Sequence, residues 1–338
     1  MTSITVFGAG SWGTALADLL ARNGYQTRLW CRRPEQARAI NVSGKNPRYL
    51  KEADLCPALS AVSDLEEAVS AATRYVLAIP TQSVRPFLET AAGLLPPRAP
   101  ICNAAKGMEI ATGKLVSEIV AELKPDARYS VLSGPSHAEE VVKGQPTAVV
   151  IASAEETEAV RWQQIVTGKM FRAYTSPDVT GVEIGAAVKN VIAVASGMAR
   201  AKGMGDNALA ALVSRGLAEV MRLGAKKNAN PLTLAGLAGV GDLMVTCYST
   251  LSRNYRLGYA IGQGKTLEQA REELGQVAEG AYTVEALVRH AAEIGVELPL
   301  AEAVYGILYR GVSPEEAVEK LFARELKPEL PPEMYWRG

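Results

Sequence analysis

The sequence predicts an α/β fold in its first half and an all-helical fold in its second half. Three observations support this: a strand, glycine turn and helix open the chain, strands and helices alternate to about residue 176, and Ala-rich helical periodicity follows. We expect an α/β domain over residues 1–176, a helical substrate and catalytic domain over 177–326, and a Pro-rich surface tail over 327–338. A chain of 338 residues exceeds one ordinary core.

The α/β prediction depends on seven β-rich runs separated by helical stretches such as SVRPFLETAAGLL and EETEAVRWQQIV. The runs are ITVF, YQTRLWC, YVLAIP, APICNA, YSVLSG, TAVVIAS and MFRAYTS. Strands that alternate with helices indicate a parallel sheet covered by helices on both faces.

The second half contains long helical patterns and no convincing strand. GVEIGAAVKNVIAVASGMARAKG and NALAALVSRGLAEVMRLGAKK are both apolar at helical spacing. Helix starts are predicted at Thr266, where Gln269 completes a capping box, and at Ser313 before Pro314.

Composition excludes several classes of protein. Lys+Arg and Asp+Glu number 36 each, so electrostatics give no reason to expect nucleic-acid or anionic-membrane binding. We expect no membrane span, because no uncharged apolar run approaches about 20 residues. A strand pattern begins within three residues of the N-terminus, so we expect no signal peptide. The four scattered cysteines match no zinc spacing, so we expect reduced thiols, no metal and a cytoplasmic location.

The first glycine turn has the pattern G-x-G-x-x-G, with glycines at 8, 10 and 13. In a Rossmann-type domain, Gly8 permits the tight turn, Gly10 lets the backbone approach a pyrophosphate, and Gly13 allows close packing of helix on strand. The helix N-terminus adds N–H donors for the phosphates. Ser11 and Trp12 are expected on the crest of this loop, against the cofactor.

The end of the second predicted strand indicates which dinucleotide is bound. An NAD site usually has an acidic residue about 20 residues beyond the glycine loop, whereas this chain has Arg32 and Arg33. Two guanidinium groups suit a 2′-phosphate, so NADP(H) is favoured and NAD(H) remains an alternative. The arginines could also be a solvated turn without a ligand.

Two further strand ends carry polar groups. Lys106 follows APICNA, and Gly134 and Ser136 follow YSVLSG, at the carboxyl edge where open α/β sheets bind ligands. The turn containing Ser136 opens a helix and could bind an anion or a carbonyl. A surface lysine and an ordinary helix cap are the alternatives.

The helical half contains an unusual lysine. Lys189 and Asn190 interrupt a stretch of Ala, Val, Ile and Gly, and a helix that is apolar on nearly every face is buried. A buried lysine is costly unless it is paired or used, although it could instead extend to the surface. Asp242 and Thr246 share a helical face, but Asp242 alone would more often be an N-cap. Only two histidines are present, so acid–base work falls to Lys, Asp or Glu.

The run Ser252-Arg253-Asn254 follows a Ser/Thr-rich turn, at a predicted helix start. A guanidinium beside an amide, a hydroxyl and free backbone N–H groups offers several donors to one dianion. We interpret this run as a second phosphate site, for the substrate.

Taken together, these motifs resemble bacterial-type NAD(P)-dependent glycerol-3-phosphate dehydrogenase. The motifs, which keep order and spacing from Gly8 to Glu279, are GAGSWG, NAAKG, GPSxA, EIGAAVKNV, GxGDLxxTC, LSRN and VAEG. His137 stands where members usually carry an aromatic or apolar residue, and we assign it no role.

The resemblance implies a 6-phosphogluconate-dehydrogenase-like fold and the reversible reduction of dihydroxyacetone phosphate to sn-glycerol 3-phosphate for phospholipid synthesis. It implies cofactor contacts at Ser11, Trp12, Arg32, Arg33, Lys106, Ala138, Arg253, Val277 and Glu279, with Tyr49 as a weaker candidate. It implies substrate contacts at Lys106, Gly134, Ser136, Asp242, Ser252, Arg253 and Asn254, to which we add Asn190 and Thr246. Lys189 matches the proton donor and acceptor, with Asp242 and Lys106 as its catalytic neighbours.

Other interpretations remain open at this point. β-Hydroxyacid dehydrogenases and ketopantoate reductases share the architecture and use a lysine, but they act on carboxylates. A redox-sensing protein that binds NADP(H) without turnover is a second alternative. Exposed helices in the second domain are compatible with a homodimer.

Overall fold

The computed structural model describes residues 2–329, so residues 330–338 of the predicted tail lie outside the described residues. The strands are β1 Ser3–Phe7, β2 Gln26–Trp30, β3 Ser60–Val62, β4 Arg74–Leu77, β5 Pro100–Asn103, β6 Arg128–Ser133, β7 Thr147–Ala152 and β8 Phe171–Ser176. The helices of the first half are α1 Ser11–Arg22, α2 Pro34–Ser43, α3 Leu65–Ser70, α4 Val84–Ala91, α5 Val116–Leu123, α6 Ala138–Val141 and α7 Glu156–Val166. Those of the second half are α8 Val179–Ala201, α9 Asp206–Lys226, α10 Pro231–Ala235, α11 Asp242–Tyr248, α12 Arg253–Gly262, α13 Leu267–Leu274, α14 Glu279–Ile294, α15 Pro299–Tyr309 and α16 Pro314–Phe322.

The strands form one eight-stranded sheet in the order β3-β2-β1-β4-β5-β6-β7-β8. β1 lies between β2 and β4, with Val6 opposite Leu29 on one side and Val76 on the other. The chain order therefore reverses at β1, which places a crevice at the carboxyl ends of the central strands.

The predicted parallel sheet has one antiparallel pairing. β7 pairs antiparallel with β6, whereas β7 and β8 pair parallel to each other. The β6–β7 connection contains only the one-turn helix α6, which is too short for the crossover that a parallel neighbour needs. The three-residue strand β3 was also not predicted.

Apolar side chains cover both faces of the sheet. One face packs against α1, α2 and α7, and the other packs against α3, α4 and α5. The alternation is visible in β4, where Tyr75 and Leu77 belong to one core and Val76 to the other.

The helical half is organised around α8, which is buried along nearly its whole length. Two glycines allow α12 to cross it closely: a Cβ on Gly197 would lie 2.0 Å from the carbonyl oxygen of Tyr255, and one on Gly258 would lie 1.9 Å from that of Val194. By length and hydropathy α8 could cross a membrane, but its apolar window is wholly buried in the protein, as in a core helix.

Two predicted helix starts are confirmed. Thr266 caps α13, and its hydroxyl and the Gln269 side chain form the reciprocal bonds of a capping box. Ser313 caps α16 by accepting a hydrogen bond from the Glu316 N–H.

Candidate active site

A cavity of about 870 Å³ lies between the carboxyl ends of the central strands and the helical half. Most of the predicted site residues line it: Gly8, Gly10, Ser11, Trp12, Arg32, Arg33, Tyr49, Lys106, Ser136, Ala138, Lys189, Asn190, Asp242, Thr246, Ser252, Arg253, Asn254, Val277 and Glu279. Gly13 and Gly134 do not line it. Gly13 packs behind the loop, and the carbonyl oxygen of Gly134 accepts a hydrogen bond from Lys106.

The three glycines of the first loop have different surroundings. Gly8 has a φ of +113°, and a Cβ there would lie 2.6 Å from the carbonyl oxygen of Ala78. A Cβ on Gly13 would lie 1.9 Å from the carbonyl oxygen of Gly8. A Cβ on Gly10 would meet no protein atom within 4 Å. Protein packing therefore does not require Gly10, and the open space above it would admit a ligand close to the backbone.

The arginines that follow β2 lie at the outer end of the cavity. Arg32 is exposed, and the Arg33 guanidinium is 3.7 Å from the Glu35 carboxylate. Arg33 also donates a 3.1 Å hydrogen bond to the side-chain oxygen of Gln36. Two cations are therefore available to an anion at this end.

At the inner end, Asp242 joins two lysines that lie far apart in the sequence. Lys189 donates hydrogen bonds to Asp242 Oδ1 and, over 2.8 Å, to Thr246 Oγ1. Lys106 donates over 2.8 Å to Asp242 Oδ2 and over 3.1 Å to the carbonyl oxygen of Gly134. The side chains of Lys189 and Asp242 are only 7% and 2% exposed. Lys189 does not extend to the surface, and the Asp242 carboxylate binds lysines rather than capping its helix.

Burial controls the charges of this cluster. It lowers the pKa of the Lys189 ammonium to about 8, with Asp242 opposing this shift and Lys106 reinforcing it. Burial alone would raise the pKa of the Asp242 carboxyl, but Lys106 and Lys189 hold it below its ordinary value. An anionic Asp242 therefore lies beside a lysine that exchanges its proton near neutral pH.

The predicted phosphate run begins α12. The Ser252 hydroxyl caps the helix by accepting a hydrogen bond from the Tyr255 N–H. The N–H groups of Arg253 and Asn254 precede that capped N–H, so they have no acceptor within the helix. Burial lowers the pKa of the Arg253 guanidinium, with Glu139, Glu279 and Tyr49 opposing this shift. The helix N-terminus and this guanidinium together favour an anion.

Two asparagines brace the cluster. Asn190 donates to the carbonyl oxygen of Lys106 over 3.1 Å and accepts a 2.8 Å hydrogen bond from Asn254. Asn254 also accepts a 2.9 Å hydrogen bond from the Gly280 N–H. These amide groups tie α8, α12 and α14 to the backbone that carries Lys106.

Glu279 at the start of α14 spans the two halves. Its Oε1 accepts a 3.0 Å hydrogen bond from the Thr81 N–H, while its buried Oε2 has no partner within the described residues. Burial raises the pKa of its carboxyl to about 7, with the Thr81 hydrogen bond and Arg253 opposing this shift.

Several cavity residues were not predicted from the sequence. Gln276 accepts a 3.4 Å hydrogen bond from Ser11, and the rings of Trp30 and Phe87 pack 5.6 Å apart. Arg48 stacks on Tyr49 at 5.6 Å. Arg48 could have been suspected only weakly, because it is next to the predicted Tyr49 in the sequence. Gln276, Trp30 and Phe87 reach the cavity through contacts between residues far apart in the sequence.

The residues present fit a dinucleotide. The space above Gly10, the N-terminus of α1 and the arginines after β2 suit a pyrophosphate and a 2′-phosphate. Within residues 2–329, no group of three or more His, Cys, Asp or Glu side chains could hold a metal ion.

Two family models match the chain. The N-terminal model of NAD-dependent glycerol-3-phosphate dehydrogenase matches residues 3–159, and the C-terminal model matches residues 178–319. The chain belongs to the NAD-dependent glycerol-3-phosphate dehydrogenase family. This confirms the resemblance that the motifs indicated.

Individual members of this dehydrogenase family resemble the chain over nearly its whole length. It is 48% identical to the glycerol-3-phosphate dehydrogenase [NAD(P)+] of Geobacillus kaustophilus, over 98% of this chain and 97% of that one. The enzyme of the same name from Staphylococcus saprophyticus is 45% identical, over 97% and 100%. The crystal structure of glycerol-3-phosphate dehydrogenase from Coxiella burnetii superposes with a TM-score of 0.92 at 35% identity, covering 96% of this chain and 99% of that one. The predicted fold class is therefore confirmed.

Proposed function

We propose that this protein catalyses the reversible reduction of dihydroxyacetone phosphate to sn-glycerol 3-phosphate with NAD(P)H, supplying the glycerol backbone of phospholipids. Family membership supports the reaction. The observation that carries the residue assignment is the buried Lys189–Asp242–Lys106 cluster, which lies in the same cavity as the glycine loop and the N-terminus of α12.

The nicotinamide, when bound, supplies the hydride that reduces the substrate carbonyl carbon. Negative charge then develops on the carbonyl oxygen, and the Lys189 ammonium donates a proton to it. In the opposite direction the neutral Lys189 amine accepts the alcohol proton. Asp242 and Thr246 hold the Lys189 nitrogen in place through their hydrogen bonds.

Lys106 has a separate role in this proposal. Its ammonium donates a hydrogen bond to Oδ2 of Asp242, the carboxylate oxygen that Lys189 does not contact. From this position Lys106 can polarise the substrate oxygen and keep Asp242 ionised. Gly134 and Ser136 shape this end of the cavity, since the Ser136 hydroxyl and Lys106 both donate to the Gly134 carbonyl oxygen.

The substrate phosphate is assigned to the N-terminus of α12. The backbone N–H groups of Arg253 and Asn254 and the Arg253 guanidinium would bind it. The Ser252 hydroxyl and the Asn254 side chain mainly hold the helix start in position. Binding energy from this remote anion orients the small carbonyl.

The dinucleotide is assigned to the glycine loop, with Arg32 and Arg33 on the 2′-phosphate of NADP(H). Ser11, Trp12, Tyr49, Ala138, Val277 and Glu279 complete this part of the cavity. We assign dinucleotide binding to the domain of residues 1–176, and substrate binding and proton transfer by Lys189 to the domain of residues 177–326. The boundary is placed here because the last strand ends at Ser176 and only helices follow among the described residues.

We further propose a cytoplasmic homodimer. The main support is a set of exposed apolar side chains on α11 and α12, namely Met244, Tyr248 and Tyr259. Light scattering of the purified protein would give twice the chain mass of 35.9 kDa, and the single mass would contradict the dimer.

Oxidation of NADPH and NADH, followed at 340 nm, tests the activity. We expect turnover with dihydroxyacetone phosphate and at least about 100-fold less with ketopantoate or other 2-ketoacids, because they lack the phosphate. Preference for a 2-ketoacid would support the alternative of an enzyme that reduces the keto group of a carboxylate-bearing substrate. Cofactor binding without turnover of either substrate would support the redox sensor.

A further inference from the structure

The carbonyl group of Ala9, in the middle of the glycine loop, accepts hydrogen bonds from two side-chain amides. Gln36 Nε2 donates to it over 2.7 Å and Asn46 Nδ2 donates over 3.1 Å. Ala9 and Gln36 line the cavity, whereas Asn46 is fully buried behind it. Two side chains from outside the loop therefore hold one peptide group of the predicted pyrophosphate site.

This peptide group would otherwise be poorly constrained. Ala9 stands between two glycines, and a flip of its peptide requires rotation only about its own ψ and the φ of Gly10. The Ala9 carbonyl oxygen now points toward the two amides, and the Gly10 N–H of the same peptide points the opposite way. A flip would turn the carbonyl oxygen to the side where the N–H now points. A carbonyl oxygen would repel a phosphate, whereas an N–H attracts it. The two amides thus oppose the unfavourable orientation before any ligand arrives.

Asn46 is itself rigidly held. It donates a second hydrogen bond to the Thr14 hydroxyl over 2.8 Å and accepts one from the Arg48 N–H over 3.3 Å. Its amide therefore ties the loop to α1 and to the segment that carries Arg48.

Gln36 connects the loop to the arginine end of the cavity. Its nitrogen donates to Ala9, while its oxygen accepts the 3.1 Å hydrogen bond from Arg33. One side chain therefore orients both the backbone proposed for the pyrophosphate and a cation proposed for the 2′-phosphate.

We propose that Gln36 and Asn46 are positioning residues for the cofactor. Asn46 serves NADP(H) and NAD(H) alike, because its amide nitrogen donates to the loop and to Thr14; its oxygen also accepts a 3.4 Å hydrogen bond from Gln36 Nε2, but it makes no bond to Arg33. Gln36 in addition favours NADP(H), because it also holds Arg33. The proposal rests on the proposed function only in requiring that the cavity bind a dinucleotide.

The test is the Kd of NADPH and of NADH, measured by cofactor fluorescence without substrate. Asn46→Asp keeps the shape of the side chain but replaces the donating amide with a carboxylate beside the Ala9 carbonyl oxygen, and we expect both Kd values to rise about tenfold. Gln36→Met should raise the Kd for NADPH about tenfold and that for NADH about threefold. Gln36→Glu should widen the gap between the effects on NADPH and NADH, because the introduced carboxylate would neutralise the positive charge of Arg33.

Asn41 provides a control for the loss of an amide that is bonded to the backbone. It lies on the same helix as Gln36 and is bonded twice to the backbone of Ala61, over 2.8 Å each, away from the cavity. Asn41 is exposed whereas Asn46 is buried, so Asn41→Asp should lower the melting temperature less than Asn46→Asp, and it should leave both Kd values within twofold.

Three results separate the outcomes. Higher Kd values for the Asn46 and Gln36 variants but not for Asn41→Asp, with the KM for dihydroxyacetone phosphate unchanged, would support the proposal. Unchanged Kd values with only a lower melting temperature would overturn it. Wild-type protein that binds neither NADPH nor NADH would overturn the proposed function as well.

Discussion

The two ends of the cavity to which we assign the two phosphates are built in opposite ways. At the outer end, Arg32 is exposed and Arg33 already has Gln36 and Glu35 as partners. At the inner end, Arg253 is half-buried, burial lowers the pKa of its guanidinium, and its neighbours Ser252 and Asn254 are buried. Exposed charges are screened by water and salt, whereas desolvated charges interact strongly. The substrate end should therefore tolerate substitution far less than the 2′-phosphate end.

The largest effect is expected between these ends, at the reacting centre. Lys189→Met keeps the apolar stem and removes the proton donor, so kcat should fall about 10²–10⁴-fold while the KM for dihydroxyacetone phosphate stays near wild type. Steady-state kinetics check this, with Lys226→Met on the exposed end of α9 as the control. A kcat within tenfold of wild type would remove Lys189 from the mechanism.

At the inner end, Arg253→Ala should act on the substrate phosphate. We expect the KM for dihydroxyacetone phosphate to rise about 10- to 100-fold, because a charge-assisted hydrogen bond to a dianion is lost. Arg256 lies one turn further along α12 and is exposed, so Arg256→Ala serves as the control and should leave the KM for dihydroxyacetone phosphate unchanged. An unchanged KM in Arg253→Ala would show that the substrate phosphate does not bind at Arg253.

The pH dependence should follow Lys189, whose pKa is about 8. Reduction requires the ammonium, so its kcat/KM should fall as the pH rises through about 8, because kcat/KM follows the ionisation of the free enzyme. Oxidation requires the neutral amine, so its kcat/KM should rise over the same range. Asp242→Asn removes the negative charge that favours the ammonium, and both profiles should move to lower pH. Profiles that stay in place would show that another group titrates.

The smallest effect is expected at the outer end. Arg33→Ala should raise the KM for NADPH about two- to five-fold at low salt and less at high salt, with the KM for NADH unchanged. Arg38→Ala on the exposed side of α2 serves as the control. A loss as large as that of Arg253→Ala would contradict the comparison between the two ends.

Local patterns were sufficient to predict most of the fold. The glycine loop, the buried α8 and the caps at Thr266 and Ser313 are encoded within a few residues of where they act. The strand β3 was missed because its three residues include a polar serine and carry no clear alternation. The antiparallel pairing of β7 is a property of the whole sheet, which periodicity does not reveal.

The site was harder to predict in detail. Lys189 was identified by its apolar surroundings, but its pairing with Asp242 joins residues 53 apart, and the pairing of Lys106 with Asp242 joins residues 136 apart. Residue types indicated a phosphate site at α12 without showing that the Ser252 hydroxyl is used as the cap. Gln36 and Asn46 were missed because an ordinary polar residue becomes informative only when its partner is known.

A crystal structure of the ternary complex with NADP+ and sn-glycerol 3-phosphate tests the central claim most directly. We expect the Lys189 nitrogen within hydrogen-bond distance of the C2 oxygen, about 2.6–3.2 Å, and the phosphate on the N–H groups of Arg253 and Asn254. A phosphate bound away from the N-terminus of α12, or a Lys189 amine turned away from the C2 oxygen, would contradict the mechanism.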